Sequence, residues 1–237
     1  MKKVSIVSML AVLAISTAAS ANVENPLYAP AKGKLYSKTS LAKADSTLTL
    51  QQKFGYGITN RLVIDGFVNY IDQDKDDGDD GFGSFNIGGA YRLSSGSLIT
   101  DVYAHYETAI DEDVPFGAND YTAWDAGLKF GKRTAKYTIA AQAGDENIDL
   151  KDLDMDTNNI ILGLEGAYTF DDRVSGNLGL KYTITDDFNR SMVLEDTMAL
   201  TAQVNYLKGG LWSLAYTHEL KADDVDNVWT VKYGLAF

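Results

Sequence analysis

The sequence has no cysteine, so disulfides, thiolate nucleophiles and Cys-held metals are all excluded. Its three prolines are Pro26, Pro30 and Pro115. The first two precede the earliest patterned segment and the third falls in a connection, so none interrupts a strand, which suits long paired strands. Basic charge is scarce: 21 Lys and Arg stand against 33 Asp and Glu, for a net charge of −12. That balance argues against a nucleic-acid partner, whose phosphates call for a basic surface. No stretch after the N-terminus is apolar for long enough to cross a membrane as a helix. The length allows one large β domain or two small ones.

What is present begins with a secretory pattern. Met1-Lys2-Lys3 is basic, Val4 to Ala18 is mainly apolar but too short to span, and Ala19-Ser20-Ala21 is a small-x-small cleavage site. Residues 1–21 are expected to be a cleaved signal peptide, and 22–34 a periplasmic leader. Composition leaves open whether that leader stays in the periplasm or folds up as a plug.

The last ten residues alternate strictly. Trp229, Val231, Tyr233, Leu235 and Phe237 are large and apolar, with mostly small or polar residues between them. From Leu35 onward the same period-2 pattern recurs between two kinds of connection. Short polar turns are Thr59-Asn60, Ser94-Ser95-Gly96, Gly131-Lys132-Arg133, Asp171-Asp172-Arg173 and Lys208-Gly209-Gly210. Longer, mostly acidic connections are 72–81, 111–120, 145–156, 186–196 and 221–226, with a tighter break at 43–46. The short turns recur about every 35 to 40 residues, the spacing of a barrel hairpin. The predicted fold is an all-β transmembrane antiparallel up-and-down barrel of about 12 strands. Its strands are expected at 35–44, 47–57, 61–71, 82–93, 97–110, 121–130, 135–144, 158–170, 174–185, 196–207, 211–221 and 228–237. An even count puts both termini on one side, with the short turns. Aromatics cluster near those turns (Tyr56, Tyr91, Phe130, Tyr137, Tyr168, Phe170, Tyr206, Trp212, Phe237), as an interfacial girdle requires. A water-soluble sandwich or lipocalin-like barrel shares the alternation but has no use for the other features.

With these residues the chain resembles a Gram-negative, small porin-like outer-membrane β-barrel protein. The features that carry the likeness are Ala19-Ser20-Ala21, the hairpin rhythm and the terminal strand ending in Phe237. The resemblance implies an outer-membrane location with both termini periplasmic, and lipid and lipopolysaccharide as surroundings. It also implies recognition by the barrel-assembly machinery through Tyr233, Leu235 and Phe237. The glycine usual in that signal would fall near Lys232; here the nearest is Gly234. In mature length the chain also resembles twelve-stranded porins for acidic oligosaccharides. Those need a basic lumen, and the acidic connections here speak against that reading.

The alternate row of each strand is expected to line the lumen. Its candidates are Lys53, Asp65, Arg92, Asp101, His105, Glu107, Asp125, Lys129, Glu165, Lys181, Glu219 and Lys232. Such a mixed lining stays wet if it is open, because desolvating unpaired charges is costly. Small inward residues such as Gly88, Ala90, Gly127, Ala140, Gly163, Ala167 and Gly179 leave room. The expected function is passive diffusion of small hydrophilic solutes, mildly cation-favouring because of the acidic connections. The alternative is a non-conducting barrel with a surface or adhesion role. No enzyme is expected. His105 sits beside Asp101 and Glu107 on one strand face, but a lumen histidine in a polar network is the plainer reading. His218-Glu219-Leu220-Lys221 lacks the serine of an outer-membrane phospholipase. Asp72, Asp74, Asp76, Asp79 and Asp80 resemble the start of a calcium loop, although Asp77 replaces its glycine. No cofactor is expected beyond Ca2+ or Mg2+ held loosely by the acidic loops.

Overall fold

The computed structural model describes residues 22–45, 47–73, 80–110, 121–150, 155–186, 196–221 and 227–237. Among them, twelve strands form one closed antiparallel barrel. In chain order they are β1 (Leu35–Ala44), β2 (Thr47–Gly57), β3 (Leu62–Gln73), β4 (Gly81–Ser95), β5 (Ile99–Ala109) and β6 (Tyr121–Arg133). They continue with β7 (Tyr137–Leu150), β8 (Met155–Thr169), β9 (Val174–Asp186), β10 (Thr197–Leu207), β11 (Leu211–Glu219) and β12 (Val228–Ala236). Each strand pairs with its sequence neighbours, and β1 closes the ring on β12 from Tyr36↔Ala236 to Ala44↔Val228. Closure leaves no sheet edge with unsatisfied backbone groups. Residues 1–21, where the signal peptide is expected, lie outside the described residues.

The side chains decide what surrounds the barrel. Registers align outward rows across strands, such as Val204↔Leu214↔Val231 and Leu164↔Leu180↔Leu200. Those rows expose large apolar groups: Leu164 by 54%, Val204 by 60% and Leu214 by 51%. Polar inward residues are covered instead: Asn205, Ser84 and Thr138 are at most 2% exposed. A water-soluble barrel has the opposite arrangement, so the wall is built for a hydrocarbon surround.

The aromatic girdle at the short turns is joined by a second one at the long-connection end. It includes Tyr70 against Phe82, Tyr106 opposite Trp124, and Tyr216 packed on Trp229 at 4.7 Å. Gln52 is an amide in the outward row. It is fully satisfied locally: it donates to the Ser37 hydroxyl and to the carbonyls of Lys38 and Lys53, and accepts from Thr39 at 2.6 Å. An amide facing lipid needs such partners.

Several connections differ from their sequence-based bounds: Ser94 and Ser95, expected in a turn, end β4 paired with Thr100 and Ile99, and two others differ more. Positions 145–156 are expected to be a loop, but β7 and β8 stay paired through Asp145↔Ile160 to Leu150↔Met155. Alternation persists there with a polar outward row of Asp145, Asn147 and Asp149, so this hairpin stands in water above the apolar belt. Side chains reinforce it: Asn147 donates to Asn158 at 2.8 Å and Asn159 to Glu146 at 2.9 Å. The expected turn Gly131-Lys132-Arg133 also belongs to strand β6. The real turn is closed by Thr134, whose hydroxyl accepts from the amides of Lys136 and Tyr137. Thr59 and Asp171 close two further short turns in the same way. The two amides on Asp171 hold its carboxyl below the usual range.

Candidate functional site

The site starts with the leader. Residues 22–28 build consecutive turns, in which Asn25 N–H donates to the Asn22 carbonyl and Tyr28 N–H to the Asn25 carbonyl. The Asn25 side chain caps Leu27 N–H at 3.0 Å. The compact segment lies across the short-turn end of the lumen. Asn22 reaches Ser175 on β9, Asn25 donates to Thr138 on β7 at 2.8 Å, and the Leu27 carbonyl accepts from Arg92 on β4 at 3.1 Å. Val23, Tyr36, Leu211 and Ala236 form an apolar cluster there, with Tyr28 and Leu207 against it. Leu27 is 1% exposed. Gly33 and Lys34 then join the end of β2 through Gly57. Of the two placements that composition leaves open, the structure has the leader in the barrel mouth.

Glu24 is the centre of these contacts. Its carboxylate lies 3.1 Å from Lys38 on β1 and 3.1 Å from Lys232 on β12, and accepts from Gln203 on β10 at 3.0 Å. Its backbone carbonyl accepts from Asn177 at 2.8 Å. Burial opposes the charge, but the two ammonium groups and Gln203 hold the carboxyl at about 2.

Above the leader, charges of both signs interleave. Lys53 pairs with Asp65 at 2.9 Å, and Arg92 holds Asp101 through two bonds of 2.8 and 2.9 Å. His105 stands between Asp125 and Asp65, with each ring nitrogen 3.2 Å from a carboxylate oxygen. Only a doubly protonated ring donates to both. Tyr36 also donates to Asp65. Glu107 accepts from Ser84 at 2.6 Å and Tyr121 at 2.7 Å. Lys129 and Glu165 are 3.9 Å apart, a loose and half-exposed pair. Lys181 and Glu219 occupy the inward row on either side of Ala199, and Lys181 has no ion-pair partner among the described residues.

These side chains do not fill the interior. A cavity of about 570 Å³ remains, floored by Val23, Pro26 and Tyr28 and walled by groups including Lys53, His105, Lys129, Glu165 and Lys181. Glycines make part of this space. The Tyr103 ring lies flat along the wall over Gly127 and Gly144, where any Cβ would collide with its hydroxyl.

The other candidates lie elsewhere. His218 is on the outward face, stacked on Tyr216 and bonded to Asn227. Asp72 ends the outward row of β3 and Asp80 precedes β4, while Asp74, Asp76 and Asp79 lie outside the described residues. Among the described residues no group of three or more His, Asp or Glu is placed to hold a metal ion. Tyr233 donates to the Gly209 carbonyl at 2.7 Å, Leu235 pairs with Ser37, and Phe237 exchanges backbone bonds with Leu35.

Sequence reasoning placed Lys232 in the lumen but missed Glu24, its counter-ion. One signal was available. The β1–β2 register puts Lys38 directly opposite Lys53, and like charges opposed across strands repel. That repulsion calls for carboxylates nearby: Asp65 answers Lys53, and Glu24, the one acidic residue of the leader, answers Lys38.

No protein-family model matches the sequence, and no curated protein matches it. Solved structures do. A KdgM porin in complex with disordered oligogalacturonate is 10% identical, with 85% of this chain and 99% of that chain covered at a TM-score of 0.63. The NanC porin is 9% identical, covering 85% and 98% at 0.63. An outer membrane channel from Pseudomonas putida F1 is 13% identical, covering 92% and 100% at 0.59. The chain folds as a porin-like outer-membrane β-barrel. At these identities the likeness is one of fold.

Proposed function

We propose that this protein is an outer-membrane channel for passive diffusion of small hydrophilic solutes, with a mild preference for cations. The supporting observation is the cavity of about 570 Å³ left between paired charges. A barrel of this size has room for a narrow aqueous path, whereas eight-stranded ones are filled by side chains. The acidic connections set the field at the outer mouth, where anions are slowed and cations enriched. They are also where Ca2+ or Mg2+ would gather and bridge to lipopolysaccharide. Both termini lie in the periplasm in this reading. Tyr233, Leu235 and Phe237 present the terminal strand to the assembly machinery. No covalent chemistry is involved.

A second reading is favoured by the seated leader: a barrel closed at rest. It retains the same fold but makes the leader a stopper. Planar-bilayer recording of purified, folded protein separates the two. Conductance steps are expected, and their complete absence at all voltages would sink the channel reading. Asp125→Asn combined with Glu165→Gln should lower the cation preference, read as a shift in reversal potential under a salt gradient.

A further inference from the structure

Three adjacent strands, β12, β1 and β2, bring Lys232, Lys38 and Lys53 into the lumen side by side, with Lys38 in direct register with Lys53. Asp65 answers Lys53 from the neighbouring strand. Among the described residues no wall carboxylate forms an ion pair with the other two. Their counter-ion is Glu24, which belongs to the leader and not to the barrel. Gln203 completes the set. It donates to the Glu24 carboxylate and accepts from Lys232 at 2.7 Å, so the Lys232 ammonium is aimed by the wall itself. The wall therefore supplies two ammonium groups and one amide N–H converging on a single carboxylate, with the Glu24 side chain only 7% exposed.

We propose that Lys38, Lys232 and Gln203 form a carboxylate-binding site of the lumen, which Glu24 occupies as a tethered stand-in. A solute bearing a carboxylate takes this site by displacing Glu24. The leader then loses its most highly charged anchor and keeps the Asn25–Thr138 and Arg92–Leu27 contacts. One pocket thus links the presence of an anionic solute to the seating of the plug. A tethered competitor acts at the high effective concentration of a short linker, so the site has low apparent affinity until Glu24 is removed. The inference rests on the lumen being a solute route, but it is tested by binding, so a barrel that fails to conduct still gives a readable answer.

The test uses the full chain in detergent and 13C-labelled acetate as the probe at constant ionic strength. Glu24→Gln is expected to bind acetate about tenfold more tightly than the unsubstituted protein. The gain should vanish in Glu24→Gln combined with Lys232→Met. Equal affinities in the first two proteins, or a gain that survives in the double variant, would overturn the proposal. A second measurement does not depend on any substitution. In the unsubstituted protein, exchange of the Leu27 and Tyr28 amides should accelerate as acetate replaces chloride, and unchanged exchange would count equally against the site.

Discussion

The Tyr103 hydroxyl on β5 rests over Gly144 on β7, two strands away, with Gly127 on β6 between them. The ring is kept against the wall because both neighbours lack a Cβ. Gly144→Val is therefore expected to swing Tyr103 into the cavity and lower single-channel conductance. Overpacking of this kind costs about 1–3 kcal/mol. Adding Tyr103→Ala should restore the conductance; if it does not, the ring is not what the valine moved.

Breaking another of the leader's anchors has a distinct signature. Arg92 holds both Asp101 and the Leu27 carbonyl. Arg92→Met leaves Asp101 without its cation in a mostly covered place, at a cost of up to about 3 kcal/mol. Asp101→Leu in the same chain should recover most of that stability but not the leader contact. Guanidine unfolding from lipid vesicles gives the first quantity, and amide exchange of residues 22–28 the second.

The pH response of the leader follows from Glu24. Its carboxyl titrates at about 2, below the ordinary 4.5. Ionised Glu24 therefore contributes fully to seating above pH 4.5, and the contribution is lost as pH falls through about 2. Amide exchange of Leu27 and Tyr28 should stay constant from pH 8 to pH 5 once the intrinsic rate is divided out, and should rise only in strong acid. A release midpoint near pH 6 would show that another group controls seating.

The apolar wall gives a prediction about lipid. Leu214 lies mid-row between Val204 and Val231 and is 51% exposed. Leu214→Arg is expected to lower stability in bilayers by about 2–4 kcal/mol. Thr201→Arg, on the inward row of the adjacent strand, should cost much less. Similar losses for both would mean that the two faces do not differ in surroundings.

How much of this was readable beforehand differs by level. Strand number and closure were, because period 2 and turn chemistry are local properties of segments such as 228–237. The β7–β8 hairpin was cut short, since a strand leaving the bilayer keeps its hydrogen bonds but loses its apolar outward row. Asp145, Asn147 and Asp149 look like loop residues for that reason. Parity gives the face of each charge but not its partner. His105 bridging Asp65 and Asp125 depends on how the four strands β3 to β6 stagger around the ring, which no single strand encodes. The Glu24 contacts were hidden most deeply: Lys232 is 208 residues away, and only the opposition of Lys38 and Lys53 hinted at a leader carboxylate.

The rim of the barrel is uneven. β1 and β2 stop at Ala44 and Thr47, joined through Asp45 in a left-handed conformation with φ 38°, while β7 and β8 run on to Leu150 and Met155. One flank is a notch and the opposite flank a parapet bearing Asp145, Asp149 and Asp156. A molecule approaching that end thus meets a low threshold on one side and an anionic screen on the other. Access to the mouth becomes a matter of compass bearing as well as of size.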